Sequence, residues 1–212
     1  MSTLFESIRT GFMVFPFFAV LFTLPILLGT TIHYKTINVV RIGMNYLFLL
    51  YMICVFSLVF LPLPTMEQAA HLSGHTFQWV PFQFVADIIK ESPLQIAVPS
   101  TYLKAITQHA VLQVVFNVLL TVPFGMFLSY YFGMSQKKIV FASFILSFAI
   151  ELTQLTGIYG LFQGSYRLCD VDDLMANTFG GFVGTVVFGM MKNYLPSLHK
   201  FDLRLRRKVK LA

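Results

Sequence analysis

The chain has 212 residues, of which 57% are hydrophobic and only 11% charged. A soluble domain carries about twice that charged fraction, so the composition indicates an integral membrane protein. The net charge of +6 is confined to one end: Lys192 to Ala212 hold seven Lys or Arg and one Asp, and the rest of the chain is balanced. The basic character therefore describes a tail and not a nucleic-acid-binding surface, and no nucleic-acid partner is expected.

Several uninterrupted apolar runs reach the roughly 20 residues that a helix needs to cross a bilayer. A transmembrane barrel would show ~10-residue segments of alternating polarity instead. The expected class is all-α: a polytopic helical membrane protein of about five transmembrane helices with one interfacial or capping segment. The chain is expected to form a single membrane domain over 1–212, too short for a separate soluble domain. Cys54 lies in an apolar run and Cys169 in a loop, and both are read as free thiols. No zinc-ligand spacing and no disulfide framework occur, so neither a metal nor a cofactor is expected.

The first span is Gly11 to Ile32, preceded only by Arg9 and followed by no small-residue cleavage site, hence uncleaved. Pro16 and Pro25 lack the amide hydrogen a helix uses and are expected to bend it. His33, Lys35 and Arg41 form a basic connection to the second span, Ile42 to Leu61, which Pro62-Leu63-Pro64 ends. The region 62–108 is a long extracytoplasmic connection. Its Trp79, Phe82, Phe84, Ile88 and Ile89 are too apolar for a solvated linker. Phe82 to Lys90 is expected to be an amphipathic helix, lying in the membrane interface or packed back over the helix ends. His109 to Phe132 is the third span, with Asn117, Pro123 and Gly125; Pro123 and Gly125 are expected to kink it. Gln136-Lys137-Lys138 is a tight basic turn, Ile139 to Gly157 the fourth span, Ile158 to Cys169 a loop, and Val171 to Met191 the fifth span. The basic tail, 192–212, is expected in the cytoplasm against anionic lipid.

Lys and Arg in short loops mark the cytoplasmic side. Lys35 and Arg41, Lys137 and Lys138, and the tail all fall on one side if there are five spans and the N-terminus is outside. Glu151, Gln154, Arg167, Asp170, Asp173, Asn177 and Asn117 then lie within roughly 12 Å of the outer surface, at ~1.5 Å rise per residue.

Glu151 is the sharpest signal, because a carboxylate inside a span costs a few kcal/mol and faces a cavity or a partner. Gln154 shares its helix face. Glu151 binds a cation or polar headgroup, acts as acid or base, or is a buried structural pair, with Arg167 as the first candidate partner. Arg167, Asp170 and Asp173 recur every three residues, and Asn177 follows four later. Asp170 suits a helix cap. Asp173 and Asn177 share a face one turn further in. Asp172 falls off that face and is expected to be solvated. Gly180 and Gly184 form a small-xxx-small pattern and are assigned to close helix packing. Asn117 is expected to hydrogen-bond to a neighbouring helix at the border of the site. Were a metal held there, oxygen donors from Glu151, Asp170 and Asp173 would suit calcium or magnesium rather than zinc.

Asn117 with Pro123 and Gly125, then Glu151-x-x-Gln154, then Arg167-x-x-Asp170-x-x-Asp173-x-x-x-Asn177-x-x-Gly180-x-x-x-Gly184, resemble the VanZ-like family of small bacterial membrane proteins, over a core of 109–191. Upstream, Pro81-Phe82 resembles the family's Pro-Phe element, with Trp79 where an Asn is common. The resemblance implies a role in resistance to teicoplanin-type glycopeptides and does not by itself imply an enzyme. The leading expectation is a plasma-membrane protein whose outward polar site contributes to that resistance or to envelope modification. Its partner would be a membrane lipid, a lipid-linked cell-wall precursor or the lipoglycopeptide itself. Arg167 suits a phosphate or carboxylate, and the carboxylates suit amines. The alternatives are a membrane enzyme acting on a lipid-linked substrate, with Glu151 or Asp173 as general acid or base, and a lipid carrier or flippase. The latter would gain from a homo-oligomer, since no internal repeat is visible.

Overall fold

The computed structural model describes residues 2–65, 67–68, 71, 77–165 and 167–204. The end of the basic tail, 205–212, and the centre of the long connection lie outside the described residues. The architecture is all-α and polytopic. Among the described residues five helices are long and apolar enough to cross a membrane, and the only strands are two-residue pairs.

The chain forms two compact units, 1–63 with 193–212 and 64–192. In the first, α1 (Ser2–Tyr34) and α2 (Val39–Phe60) are an antiparallel pair. The Ser7 hydroxyl reaches the Leu61 carbonyl, Gly11 abuts Cys54 and Ser57, and Thr23 bonds to the Tyr46 hydroxyl at 2.7 Å. α1 runs on through both Pro16 and Pro25. Asn38 caps α2, its side-chain oxygen accepting from the Arg41 amide at 3.0 Å. The start of the tail folds onto this end. β1 (Thr36–Ile37) pairs antiparallel with β4 (Leu203–Arg204), and a 3-10 turn spans Leu198–Phe201. The Asn38 amide donates to the Leu198 carbonyl and to Asp202, and the Arg41 guanidinium donates to Asp202 at 3.3 Å. Arg41, read above as a loop charge, is only 2% exposed and also stacks on Tyr34. The Asn38 amide, followed by His199 and Arg41, holds the Asp202 carboxyl below its ordinary range.

The second unit is built round α7 (Val171–Met191), which packs on α5 (His109–Phe132) and α6 (Gln136–Leu155). The expected glycine pattern explains the closeness. A Cβ on Gly180 would strike the Val118 carbonyl and Thr121, and one on Gly184 would strike the Val122 carbonyl of α5. Gly125 belongs to the same seam and packs against Gly181. Gly181 in turn lies on Ser143 of α6. The amphipathic segment expected at Phe82 to Lys90 is α3 (Gln83–Glu91), which packs on α5 and receives the Gln108 side-chain amide at the Ile88 carbonyl. A second short helix, α4 (Ser100–Ile106), follows Pro99 and was not foreseen. Both carry exposed apolar residues, among them Val85, Ile89, Leu103 and Ile106. β2 (Phe77–Gln78) pairs in parallel with β3 (Cys169–Asp170).

Candidate functional site

The N-terminal end of α7, the C-terminal end of α6 and the N-terminal third of α5 converge, and they carry most of the polar residues singled out above. Asp170 is the N-cap of α7, its carboxylate accepting from the Asp172 amide at 2.8 Å. Burial pushes its carboxyl upward against that amide's opposing pull. The Asp170 amide donates to Glu151 Oε2 at 3.0 Å. The Cys169 thiol is the other partner of Glu151, and burial, followed by the Glu151 charge, pushes that thiol up to about 12. Cys169 is therefore a neutral donor and Glu151 its acceptor. Glu151 ties α6 to the entry of α7.

Asp173, one turn in, faces α5. Its Oδ1 accepts from the Gln113 side-chain amide at 3.1 Å and from that of Asn117. Asn117 thus does what its position in a span demanded, and Gln113, one helical turn before it, is a member the sequence reading missed. Asn177 lies a further turn along, 3% exposed. Its amide nitrogen donates to Ser147 Oγ at 3.0 Å, its backbone carbonyl accepts from the Thr121 hydroxyl, and its side-chain Oδ1 has no partner. Ser147 precedes Glu151 by one turn on α6, so Asn177 reaches the same helix face that carries Glu151.

Asp172 corrects the expectation of a solvated side chain. It is 5% exposed. Its Oδ1 accepts from the Phe82 amide at 2.6 Å and its Oδ2 from the Phe84 amide at 3.0 Å, with the Gln78 amide at 3.5 Å. Those backbone amides belong to the start of α3, so the carboxylate satisfies donors a helix cannot satisfy internally. Phe82 sits there with φ 64°, in the left-handed region, a costly conformation for a non-glycine residue. Its pairing partner lies 90 residues away, which is why helical spacing alone missed it.

Gln154 is buried beside Glu151 as the shared face required. Its backbone carbonyl accepts from Ser165 Oγ at 3.1 Å, and the same hydroxyl meets the Arg167 carbonyl. The loop between is wound tightly: Gly157, Ile158, Tyr159 and Gly160 all have positive φ. A Cβ on Gly157 would lie 2.6 Å from the carbonyls of Phe162 and Gly164. Arg167, half-buried, stands at the end of this loop. It is not the partner of Glu151: among the described residues no cationic side chain pairs with Glu151, Asp170, Asp172 or Asp173. The partners of the four carboxylates are backbone amides, side-chain amides and one thiol.

The cluster thus joins Glu151, Asp170, Asp173, Asn177 and Asn117 to Gln113, Ser147, Cys169 and Asp172, with Gln154 and Arg167 at its loop side. Chemically it presents acceptors fixed by neutral donors. The model of the VanZ/LLP1 family matches residues 48–192, well over half of the chain. No curated protein and no solved structure matches it.

Proposed function

Since the chain belongs to the VanZ/LLP1 family and is a multi-pass membrane protein, we propose that its polar cluster faces outward and recognises a polar group at the outer leaflet. In that role the protein contributes to teicoplanin-type glycopeptide resistance or to envelope modification. The observation that carries this reading is the concentration of Glu151, Asp170, Asp172 and Asp173 at one end of the α5–α6–α7 bundle, while the exposed Lys137, Lys138 and Lys192 mark the other. Under the positive-inside rule the lysine end is cytoplasmic, which puts the carboxylates outside, the N-terminus outside and the tail inside. The ligand is then a lipid, a lipid-linked wall precursor or the glycopeptide.

The test is susceptibility of a sensitive bacterial host to teicoplanin and to vancomycin, with the wild type, Glu151→Gln and Asp173→Asn at equal membrane levels. Protection by the wild type against teicoplanin, reduced in both variants, supports the reading. Equal protection by wild type and variants would make the carboxylates purely structural. Absence of protection by the wild type would remove the resistance role. Complete loss in either amide variant, rather than a graded one, favours the enzyme reading, because a general acid or base has no partial substitute.

A further inference from the structure

The donors and acceptors of the cluster do not balance. Gln113 and Asn117 both spend a side-chain amide nitrogen on Asp173 Oδ1. Asp173 Oδ2 makes no hydrogen bond among the described residues, and neither do the side-chain oxygens of Gln113 and Asn117. Asn177 spends its nitrogen on Ser147, and its Oδ1 is buried without a partner. An amide has as much accepting as donating capacity, and a buried acceptor left unmade costs about 1–3 kcal/mol. Of these oxygens only Asn177 Oδ1 is buried without a partner; those of Asp173, Gln113 and Asn117 sit on half-buried side chains with capacity left to accept, and among the described residues no cation is paired with Asp173 or Glu151.

The complement of such a set is a group that only donates and is positively charged. A divalent metal ion would ask for more carboxylate oxygens, and among the described residues no group of three or more His, Cys, Asp or Glu side chains is placed to hold one. A primary ammonium offers three donors and one charge, as a Lys head does. We infer that the seam of Asp173, Asn177, Gln113 and Asn117 takes an organic primary ammonium group, carried by a phospholipid headgroup or by a glycopeptide. This rests on the reading of the cluster as a ligand site and names the chemistry of that ligand.

The protein's single Trp79 provides a reporter: its ring lies tilted against that of Phe77, with centroids 3.5 Å apart, and Phe77 pairs with Cys169 beside the cluster. The experiment uses the full chain in phosphatidylcholine nanodiscs, titrated with short-chain phosphatidylethanolamine, phosphatidylcholine or phosphatidylglycerol, and with teicoplanin before and after acetylation of its amine. The expected result is saturable binding of phosphatidylethanolamine, or of teicoplanin only while its amine is free, whichever is the source. Quaternary and anionic headgroups should not compete. Asp173→Asn should weaken binding at least tenfold, and Gln136→Ala at the lysine end should leave it unchanged. Should Asp173→Asn fail to fold, Asn177→Asp carries the test, because an added carboxylate tightens an ammonium, whereas in a purely structural seam it removes the donor to Ser147 and only destabilises. Equal response to all three headgroups, or variants that bind like the wild type, would overturn the inference. Susceptibility of the same strains separates the two readings: lost protection without any ammonium binding leaves the outward site standing and removes its ligand. Lost binding with intact protection does the reverse.

Discussion

The residue with most consequence for the shape of the site is Asp172, because its carboxylate reaches across the chain to two backbone amides. Hydrogen bonds to a charged acceptor are worth ~1.5–3 kcal/mol. Asp172→Ala strands the Phe82 and Phe84 donors and removes the restraint that holds Phe82 at φ 64°. The expected loss is ~2–3 kcal/mol, concentrated at the start of α3, with Asp172→Asn intermediate since its amide keeps one acceptor. Hydrogen exchange should show the Phe82 and Phe84 amides opening while those in the middle of α7 stay protected. Unchanged protection at Phe82 would mean that α3 is held by its packing on α5 instead. The identity of this residue also marks where sequence reading stops. Glu151 announced itself because a carboxylate in an apolar run must be explained. Asp172 stood in an acidic first turn, where a solvated role is the cheapest explanation, and only the fold brings Pro81-Phe82 to it.

At the scale of elements, the helices were legible and the clasps between them were not. His109 to Phe132 and Val171 to Met191 coincide with α5 and α7, since apolar length and the flanking Gly133 and Asp170 are local signals. The glycine seam was half legible: Gly180 and Gly184 follow a helical spacing, but Gly125 and Gly181 make sense only when α5 and α6 are laid against α7. A Cβ on Gly181 would enter Ser143, whereas one on Gly189 meets nothing within 4 Å. Gly181→Ala should therefore cost ~1–3 kcal/mol by overpacking, and Gly189→Ala should be neutral or gain up to ~1 kcal/mol in helix propensity. Thermal unfolding in one detergent measures both, and equal shifts would deny the close approach. The tail clasp has its own dependence on pH. The Asp202 carboxyl is depressed in the folded chain by Asn38, His199 and Arg41. Its contribution is complete above the ordinary carboxylate value of about 3.9 and is lost as pH falls through the lower folded value. Spin labels at Lys35→Cys and Lys200→Cys in a cysteine-free background should report one short distance at neutral pH and a broad one in strong acid. Asp202→Asn should broaden it at every pH.

For the whole molecule, orientation decides whether the carboxylates meet the cell exterior, and two local observations bear on it. In the unit containing the tail, residues 198–204 are bonded to the α1–α2 connection, so the C-terminal segment and Lys35 share a side. In the other unit, Lys137 and Lys138 open α6 just as Lys192 closes α7, so these three share a side as well. An odd number of spans satisfies both, and five helices qualify. Arg41 no longer counts as a loop charge, because it is buried in the clasp, which leaves Lys35 in one unit and Lys137, Lys138 and Lys192 in the other to be tested by labelling. The positive-inside bias acts through such short loops, so single cysteines at Lys138 and at Leu161 should react oppositely with an impermeant maleimide on intact cells. Leu161, exposed in the loop between α6 and α7, should label directly. Lys138→Cys should label only after permeabilisation. The reverse pattern would turn the carboxylate cluster toward the cytoplasm. A glycopeptide or an outer-leaflet headgroup could then reach it only by crossing the membrane, and the carrier reading would take precedence over the binding one.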